Sequence, residues 1–341
     1  MRKLASIQTV KYVKPIPDAD SIETVGVLGW EVVSKKGEFQ PNDLCVFFEI
    51  DSLLPEIPEF EFLRKSCWND NLKKYRLKTV KLRKQLSQGL ALPLSVFPNL
   101  VGLVVSADVT SLLNIEKYEP PIPAQIAGDA RTFSWTISKT DEIRVQLNDE
   151  YKFIESLTGR PYYISLKLDG TSSTFLIDPK DEEFHVCGRN YSYKQNSEHS
   201  FWKIAERCDI ERGLRNLYEK GLRVAIQGEC VGPGIQKNPL GIDKIDLYVF
   251  NVVDIATNTK LCLDQSLLIT EQMLGLKFVP ILEKGDSFSY TKNDLLEMAR
   301  GKYSDYFASA KPSQDSEGIV IRSICGEISF KAINNDFLLK E

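Results

Sequence analysis

A chain of 341 residues, 43% of them hydrophobic, has the length of about two domains and enough apolar material for a core in each. No run approaches the roughly 18 apolar residues that a membrane helix needs, and the start Met1-Arg2-Lys3-Leu4-Ala5-Ser6 carries no apolar signal segment, so an intracellular protein without a membrane partner is expected. A net charge of −4 excludes coating of nucleic acid by bulk charge, and only His185 and His199 are present to supply a multi-histidine metal site or a serine-hydrolase triad, which leaves catalysis to Lys, Asp, Glu and Arg.

Residues 1–107 predict short strands separated by turns: Ala5 to Val13, Ile22 to Leu28, Trp30 to Ser34, and Leu44 to Glu49 after the turn at Pro41-Asn42-Asp43. Close strand spacing with few helical periods points to an OB-like β-barrel, a common nucleic-acid platform. The alternative is a small β-domain that only packs against its neighbour. Between Arg64 and Lys84 stand nine basic residues against one acid, Asp70. Such a run is either a solvated face or a phosphate-binding surface, and the interleaved Trp68 and Tyr75 favour the second.

Residues 108–131 are rich in Pro, Ala and Gly without sustained periodicity and are expected to form the linker. Thr140, followed by Asp141 and Glu142, predicts a helix N-terminus, with a capping hydroxyl and first-turn acids. The remainder, 132–341, mixes strands near Tyr162 to Leu166, Ser173 to Ile177, Glu183 to Cys187, Arg223 to Gly228, Asp246 to Val253, Gly318 to Arg322 and Glu327 to Phe330 with helices. The clearest helix is predicted over Glu198 to Lys220, with Gly221 just past its end. The fold class is therefore α+β, an N-terminal barrel followed by a domain built on antiparallel sheets. Seven cysteines, none in a Cys-x-x-Cys pair, support neither a disulfide framework nor a zinc knuckle and predict mostly buried, reduced thiols.

The string Lys167-Leu168-Asp169-Gly170 follows an apolar strand, which puts its lysine at a strand end; alone it reads as well as a β-turn. Four further signals follow in order. They are Cys187-Gly188-Arg189-Asn190, then Gln227-Gly228-Glu229, then Tyr248-Val249-Phe250-Asn251-Val252-Val253-Asp254, and finally Ser316-Glu317-Gly318-Ile319-Val320-Ile321-Arg322, which leads to Lys331-Ala332-Ile333 with Lys331 14 residues beyond Glu317.

Together these strings resemble motifs I, III, IIIa, IV and V of the covalent nucleotidyltransferases: DNA ligases, RNA ligases and mRNA capping enzymes. The segments Gly29-Trp30-Glu31-Val32-Val33, Phe47-Phe48-Glu49-Ile50-Asp51-Ser52-Leu53-Leu54-Pro55 and Leu86-Ser87-Gln88-Gly89-Leu90 resemble the amino-terminal OB module of RNA ligases of the Deinococcus/Naegleria type. Domain order agrees with that type, since DNA ligases and capping enzymes usually carry their OB domain after the nucleotidyltransferase domain.

The resemblance implies a nucleotidyltransferase domain at 132–341 in which Lys167 attacks the α-phosphate of ATP, Glu229 and Glu317 hold Mg²⁺ or Mn²⁺, and Lys331 neutralises the α-phosphate. It implies nucleotide contacts from Asp169, Gly170 and Arg189, stacking of adenine on Phe250, and contact of Arg144 with the outgoing phosphates. An aromatic in a strand also serves as core, and Arg144 also fits a helix that buttresses the site. Three positions depart from the usual pattern: Leu166 replaces a glutamate, Ile333 a second lysine with Lys340 nearby, and Asp336 adds an acid. The expected protein is a monomeric RNA ligase that seals 3′-hydroxyl and 5′-phosphate ends at nicks in duplexes with RNA on the 3′-hydroxyl side. The alternatives are a DNA ligase, a capping-type enzyme, or a non-catalytic nucleic-acid-binding protein of the same fold.

Overall fold

A computed structural model describes residues 3–118, 130–132, 137–196 and 198–340; positions 119–129 of the expected linker lie outside the described residues. The chain divides into two compact units, one of Met1–Pro121, Gln146–Tyr151 and Leu339–Glu341, the other of Ile122–Val145 and Lys152–Leu338. Among the described residues no helix is long and apolar enough to cross a membrane.

In the first unit β1 (Ala5–Pro15), β2 (Ile22–Val27), β3 (Trp30–Lys35), β4 (Leu44–Phe48) and β5 (Leu90–Pro93) form an antiparallel sheet in the order β5-β4-β1-β2-β3. Alternate residues such as Ile7, Val46 and Phe48 face a core completed by Phe60, Phe97 and Leu100. Val109, Leu113 and Ile115 lie in that same core, and Glu116–Lys117 pairs with Ser52–Leu54. Residues 108–118 thus pack onto the β-unit, although they were expected to begin the linker. Their buried apolar side chains outweigh the local composition that suggested a free segment. Gln146–Tyr151 also belongs to this unit, tied by ion pairs from Lys3 to Glu150 and from Lys11 to Asp149.

The second unit is built on two sheets. One contains β6 (Ile143–Arg144), β7 (Tyr162–Lys167), β13 (Ile281–Gly285), β14 (Gly318–Ser323) and β15 (Ser329–Ile333), in the order β6-β15-β14-β7-β13. The other runs from the edge strand Ala130–Thr132 through β10 (Tyr191–Tyr193), β9 (Phe184–Cys187), β8 (Thr171–Ile177), β11 (Val224–Val231) and β12 (Asp246–Asp254) to Thr259–Lys260. Among the described strands of these sheets only the short pairings of β6 with β15 and of β12 with Lys277–Phe278 are parallel, so the expected antiparallel plan holds for the body of both sheets.

Two local expectations fail. The predicted helix start at Thr140 is extended chain: its hydroxyl lies 2.7 Å from Ser172 Oγ, and Ile143-Arg144 pair with Phe330-Lys331. Strand pairing around β-branched Ile143 overrides the local capping signal. The single helix predicted over 198–220 is two, α1 (Ser200–Arg207) and α2 (Ile210–Glu219), broken where Asp209 takes φ +51°. Of the seven cysteines, all free, only Cys45, Cys187 and Cys230 are buried.

Candidate active site

The string at Lys167 is no hairpin turn. β7 and β8 belong to different sheets, so Leu168-Asp169-Gly170 carries the chain from one sheet to the other and leaves Lys167 at their junction. Glu317 directly precedes β14, which pairs with β7 down to Lys167 opposite Gly318. That register brings Lys167 Nζ to 2.7 Å from Glu317 Oε2. The two side chains are 20% and 18% exposed, which makes the site a recess open to a ligand rather than a sealed core pair.

Two glycines make the junction possible. A Cβ on Gly170 would stand 2.3 Å from the Cys230 carbonyl oxygen, so only glycine lets the turn lie against β11. Gly318 has φ +143°, and a Cβ there would meet the Ala332 carbonyl oxygen at 2.2 Å. From β11, Glu229 reaches the same recess and accepts a hydrogen bond from the Gly170 N–H. Lys331 enters from β15, beside Arg144 in the parallel pairing of β6 and β15. Arg144 is 8% exposed.

The charges perturb one another. Burial pulls the Lys167 ammonium down, but the carboxylates of Glu317 and Glu229 outweigh it and hold its pKa above the ordinary value. Burial, only partly offset by Lys167, pushes Glu229 up to about 8. Glu317, in direct contact, is the nearer counter-ion that holds Lys167. Lys331 is driven down to about 7 by burial and then by the neighbouring positive charges of Lys167 and Arg144. An anion placed there would restore its charge.

Around this core Arg189 ion-pairs with Asp141, and Lys139 Nζ donates to Asn190 Oδ1 at 2.9 Å, so the extended segment at 139–141 grips the chain after β9. Beneath it Glu142 accepts from Lys260 at 3.0 Å and from the buried Arg322 at 3.3 Å. Burial raises its pKa, but the two cations outweigh that and bring it down to about 2. Phe250 is the residue skipped where the register of β12 on β11 shifts: Gln227 faces Asn251, and Gly228 faces Val249. It is partly buried against the core, and a bulge is a device that re-aims a side chain next to a site. Lys340 is exposed and Ile333 is buried in the core.

Sequence reasoning missed Tyr303, which lies 14 residues before Glu317 in a stretch without a motif. Its hydroxyl meets the backbone on both sides of the Lys167–Glu317 pair. Asp141 was expected as a first-turn acid of a helix, and Lys139 and Asn190 stood only near Arg144 and Arg189 in the sequence. Their pairing needed the observed extended path.

The basic run of the first unit is also changed by its context. Arg64 pairs with Glu56 and Glu61, Lys74 with Glu116, and Arg76 with Asp51 while stacking 3.5 Å from the Tyr118 ring centroid. Tyr75 is fully buried and is core rather than a base platform. Lys65, Lys73, Lys78, Lys81, Arg83 and Lys84 are exposed, the last two at the tip of the hairpin formed by Thr79–Leu82 and Gln85–Gln88.

A family model described as RNA ligase matches residues 160–333, just over half of the chain. The chain belongs to the RNA ligase family. An OB-fold domain model matches residues 4–94, so the first unit of this ligase is built on an OB fold. Solved structures of the RNA ligase of Naegleria gruberi are similar along the whole length. An alanine variant with AMP and Mn has 35% identity and a TM-score of 0.89, covering 100% of this chain and 99% of that one. The same enzyme with pyrophosphate has 36% identity, a TM-score of 0.89 and the same coverage. Another alanine variant, with ATP and Mn, has 35% identity and a TM-score of 0.88, covering 99% of each. No match was found among curated protein sequences.

Proposed function

We propose that this member of the RNA ligase family is ATP-dependent and joins a 3′-hydroxyl to a 5′-phosphate through a covalent AMP on Lys167. The observation that carries the reading is Lys167 at the sheet junction, 2.7 Å from Glu317 and flanked by Glu229, Lys331 and Arg144. The Naegleria gruberi comparison adds a matching pattern. In that enzyme a glutamate and a lysine changed to alanine in structures with AMP or ATP and Mn lie fourteen positions apart, as Glu317 and Lys331 do.

Glu229 and Glu317 fit a divalent ion by the chemistry of the donor set: both present hard carboxylate oxygens to one recess, and a cation would favour the ionised form that burial opposes at Glu229. Mg²⁺ or Mn²⁺ bound there would supply positive charge that favours the neutral lysine amine and the leaving pyrophosphate. Lys167 must lose a proton before Nζ can attack the α-phosphorus. As the N–P bond forms, the P–O bond to pyrophosphate breaks, and a phosphoramidate remains. Lys331 meets the α-phosphate, Arg144 the outgoing phosphates, Arg189 the ribose or a phosphate, and Phe250 the adenine ring. Asp169 and Gly170 hold the turn at the nucleotide.

AMP then passes to a 5′-phosphate, and a 3′-hydroxyl displaces it. The barrel cations hold a nicked duplex with RNA on the 3′-hydroxyl side, where a ribose 2′-hydroxyl offers a contact that DNA lacks. The chain acts as a monomer. Intact-protein mass after incubation with ATP and Mn²⁺ tests the covalent step. One acid-labile AMP should appear on the wild type and none on Lys167→Ala, whereas an adduct at wild-type yield in that variant rejects the assignment. Efficient sealing of all-DNA nicks would turn the strand preference toward DNA, and transfer from GTP in place of ATP would turn the reading toward a capping-type enzyme.

A further inference from the structure

Tyr303 closes the site from a segment outside all five sequence signals. It is fully buried, and its hydroxyl donates to the Lys167 carbonyl oxygen at 3.0 Å while accepting from the N–H groups of Asp169 at 2.7 Å and Glu317 at 3.2 Å. A hydroxyl has one hydrogen and two lone pairs, and this one spends all three on backbone groups. The ladder between β7 and β14 ends at the pair Lys167 and Gly318. Past that pair the strands part, with Asp169 on one side and Glu317 on the other. The Tyr303 hydroxyl stands where the next rung would be.

The segment that presents it is itself fixed. Lys302 pairs with buried Asp315, Tyr303 N–H donates to the Gln314 carbonyl oxygen at 3.1 Å, and Ser316 N–H donates to the Gly301 carbonyl oxygen at 2.9 Å.

We infer that Tyr303 is a positioning residue for lysine adenylation: its hydroxyl fixes the backbone of Lys167 and Glu317 relative to each other where the sheet no longer does, and so sets the reach of the lysine amine. The inference rests on Lys167 being the nucleophile. Misplacement of a reacting group by a fraction of an ångström to one ångström lowers the rate at saturation more than it lowers ground-state binding.

The test uses the full chain, with single-turnover formation of the AMP adduct followed by intact mass across ATP concentrations in Mn²⁺. Tyr303→Phe keeps the ring in its apolar setting and removes only the hydroxyl. It should lower the saturating rate about tenfold or more while leaving half-saturating ATP within about threefold. Tyr162→Phe is the control, since it removes the hydroxyl of another buried tyrosine, bonded to Glu283, at the opposite end of β7. It should adenylate at the wild-type rate. Lys302→Met loosens the same brace from a half-exposed position and should show a smaller loss of the same kind, which decides the matter if Tyr303→Phe does not fold. A Tyr303→Phe rate within about twofold of wild type, an equal loss in Tyr162→Phe, or, where Tyr303→Phe does not fold, a Lys302→Met rate equal to wild type overturns the inference. A wild-type protein that takes up no AMP overturns the ligase reading and the inference with it, a result distinct from the others.

Discussion

The raised pKa of Glu229 predicts that the site destabilises the fold that carries it. Burial puts the carboxyl at about 8, against 4.5 in an exposed chain. Between those values the folded protein keeps a proton that the unfolded chain releases, so stability falls as pH rises, by up to ~1.4 kcal/mol per pH unit. Halved for the part of the side chain that meets water, the loss reaches about 2 kcal/mol at pH 7 and stays under about 0.5 kcal/mol at pH 5. Glu229→Gln carries no such proton and retains an oxygen for the Gly170 N–H. Urea unfolding without ATP or metal at pH 5, 7 and 8 should show the variant more stable than wild type, with a gap that widens with pH and levels off above about 8. If Glu229 holds the metal as proposed, the same variant should lose lysine adenylation by roughly a hundredfold or more. A gap independent of pH, or a variant less stable at pH 7 than wild type, would show that Lys167 and the Gly170 N–H offset the burial of this carboxyl fully when ATP and metal are left out.

Lys331, held at about 7, is mostly neutral at pH 8, so ATP binding in the absence of metal should take up a proton there. Calorimetry in buffers of different ionisation enthalpy should detect this uptake in the wild type and not in Lys331→Met. Gly170→Ala forces a Cβ to 2.3 Å from the Cys230 carbonyl oxygen and should cost about 1–3 kcal/mol in stability together with most of the adenylation, checked by thermal unfolding and adduct mass. Charge reversal at Lys73, Lys78, Lys81 and Arg83 should weaken RNA binding and reduce the log–log salt slope by about one for each phosphate no longer neutralised, measured by titration at several salt concentrations. Reversal at Lys74, which already pairs with Glu116, should change that slope less.

What was legible in the sequence is the placement of the candidate residues at strand ends. Lys167, Glu229, Glu317 and Lys331 each adjoin or lie in an apolar run whose period marks a strand, and the observed strands fall within a few residues of the expected ones. What was not legible depends on partners distant in the chain. Lys-x-Asp-Gly has the composition of a hairpin turn, and only the assignment of β7 and β8 to separate sheets makes it a junction. Thr140 offers a good helix cap, yet the pairing of Ile143 with Phe330 takes the segment into a strand. The nine cations between 64 and 84 look uniform in sequence, whereas acids at positions 51, 56, 61 and 116 neutralise three of them.

Leu166 shows how such distant partners shape the chemistry. Strand alternation sets it on the opposite face of β7 from Lys167, and it is 2% exposed in the core it shares with Leu168 and Phe175. Its N–H is taken by the Pro280 carbonyl oxygen. A glutamate at this position, as in many covalent nucleotidyltransferases, could offer a carboxylate to a base, but leucine has no polar side-chain atom to offer. In the proposed reaction, discrimination of adenine would then fall to backbone groups of the recess and to a ring such as Phe250, whose place at the shifted register is set by the pairing of β11 with β12. The replacement removes a polar group that a core position would have to satisfy, at the cost of a side chain that could read the base directly. Base recognition would thus rest on sheet geometry more than on residue identity, which is why motif spacing offers candidates for the phosphates more readily than for the base.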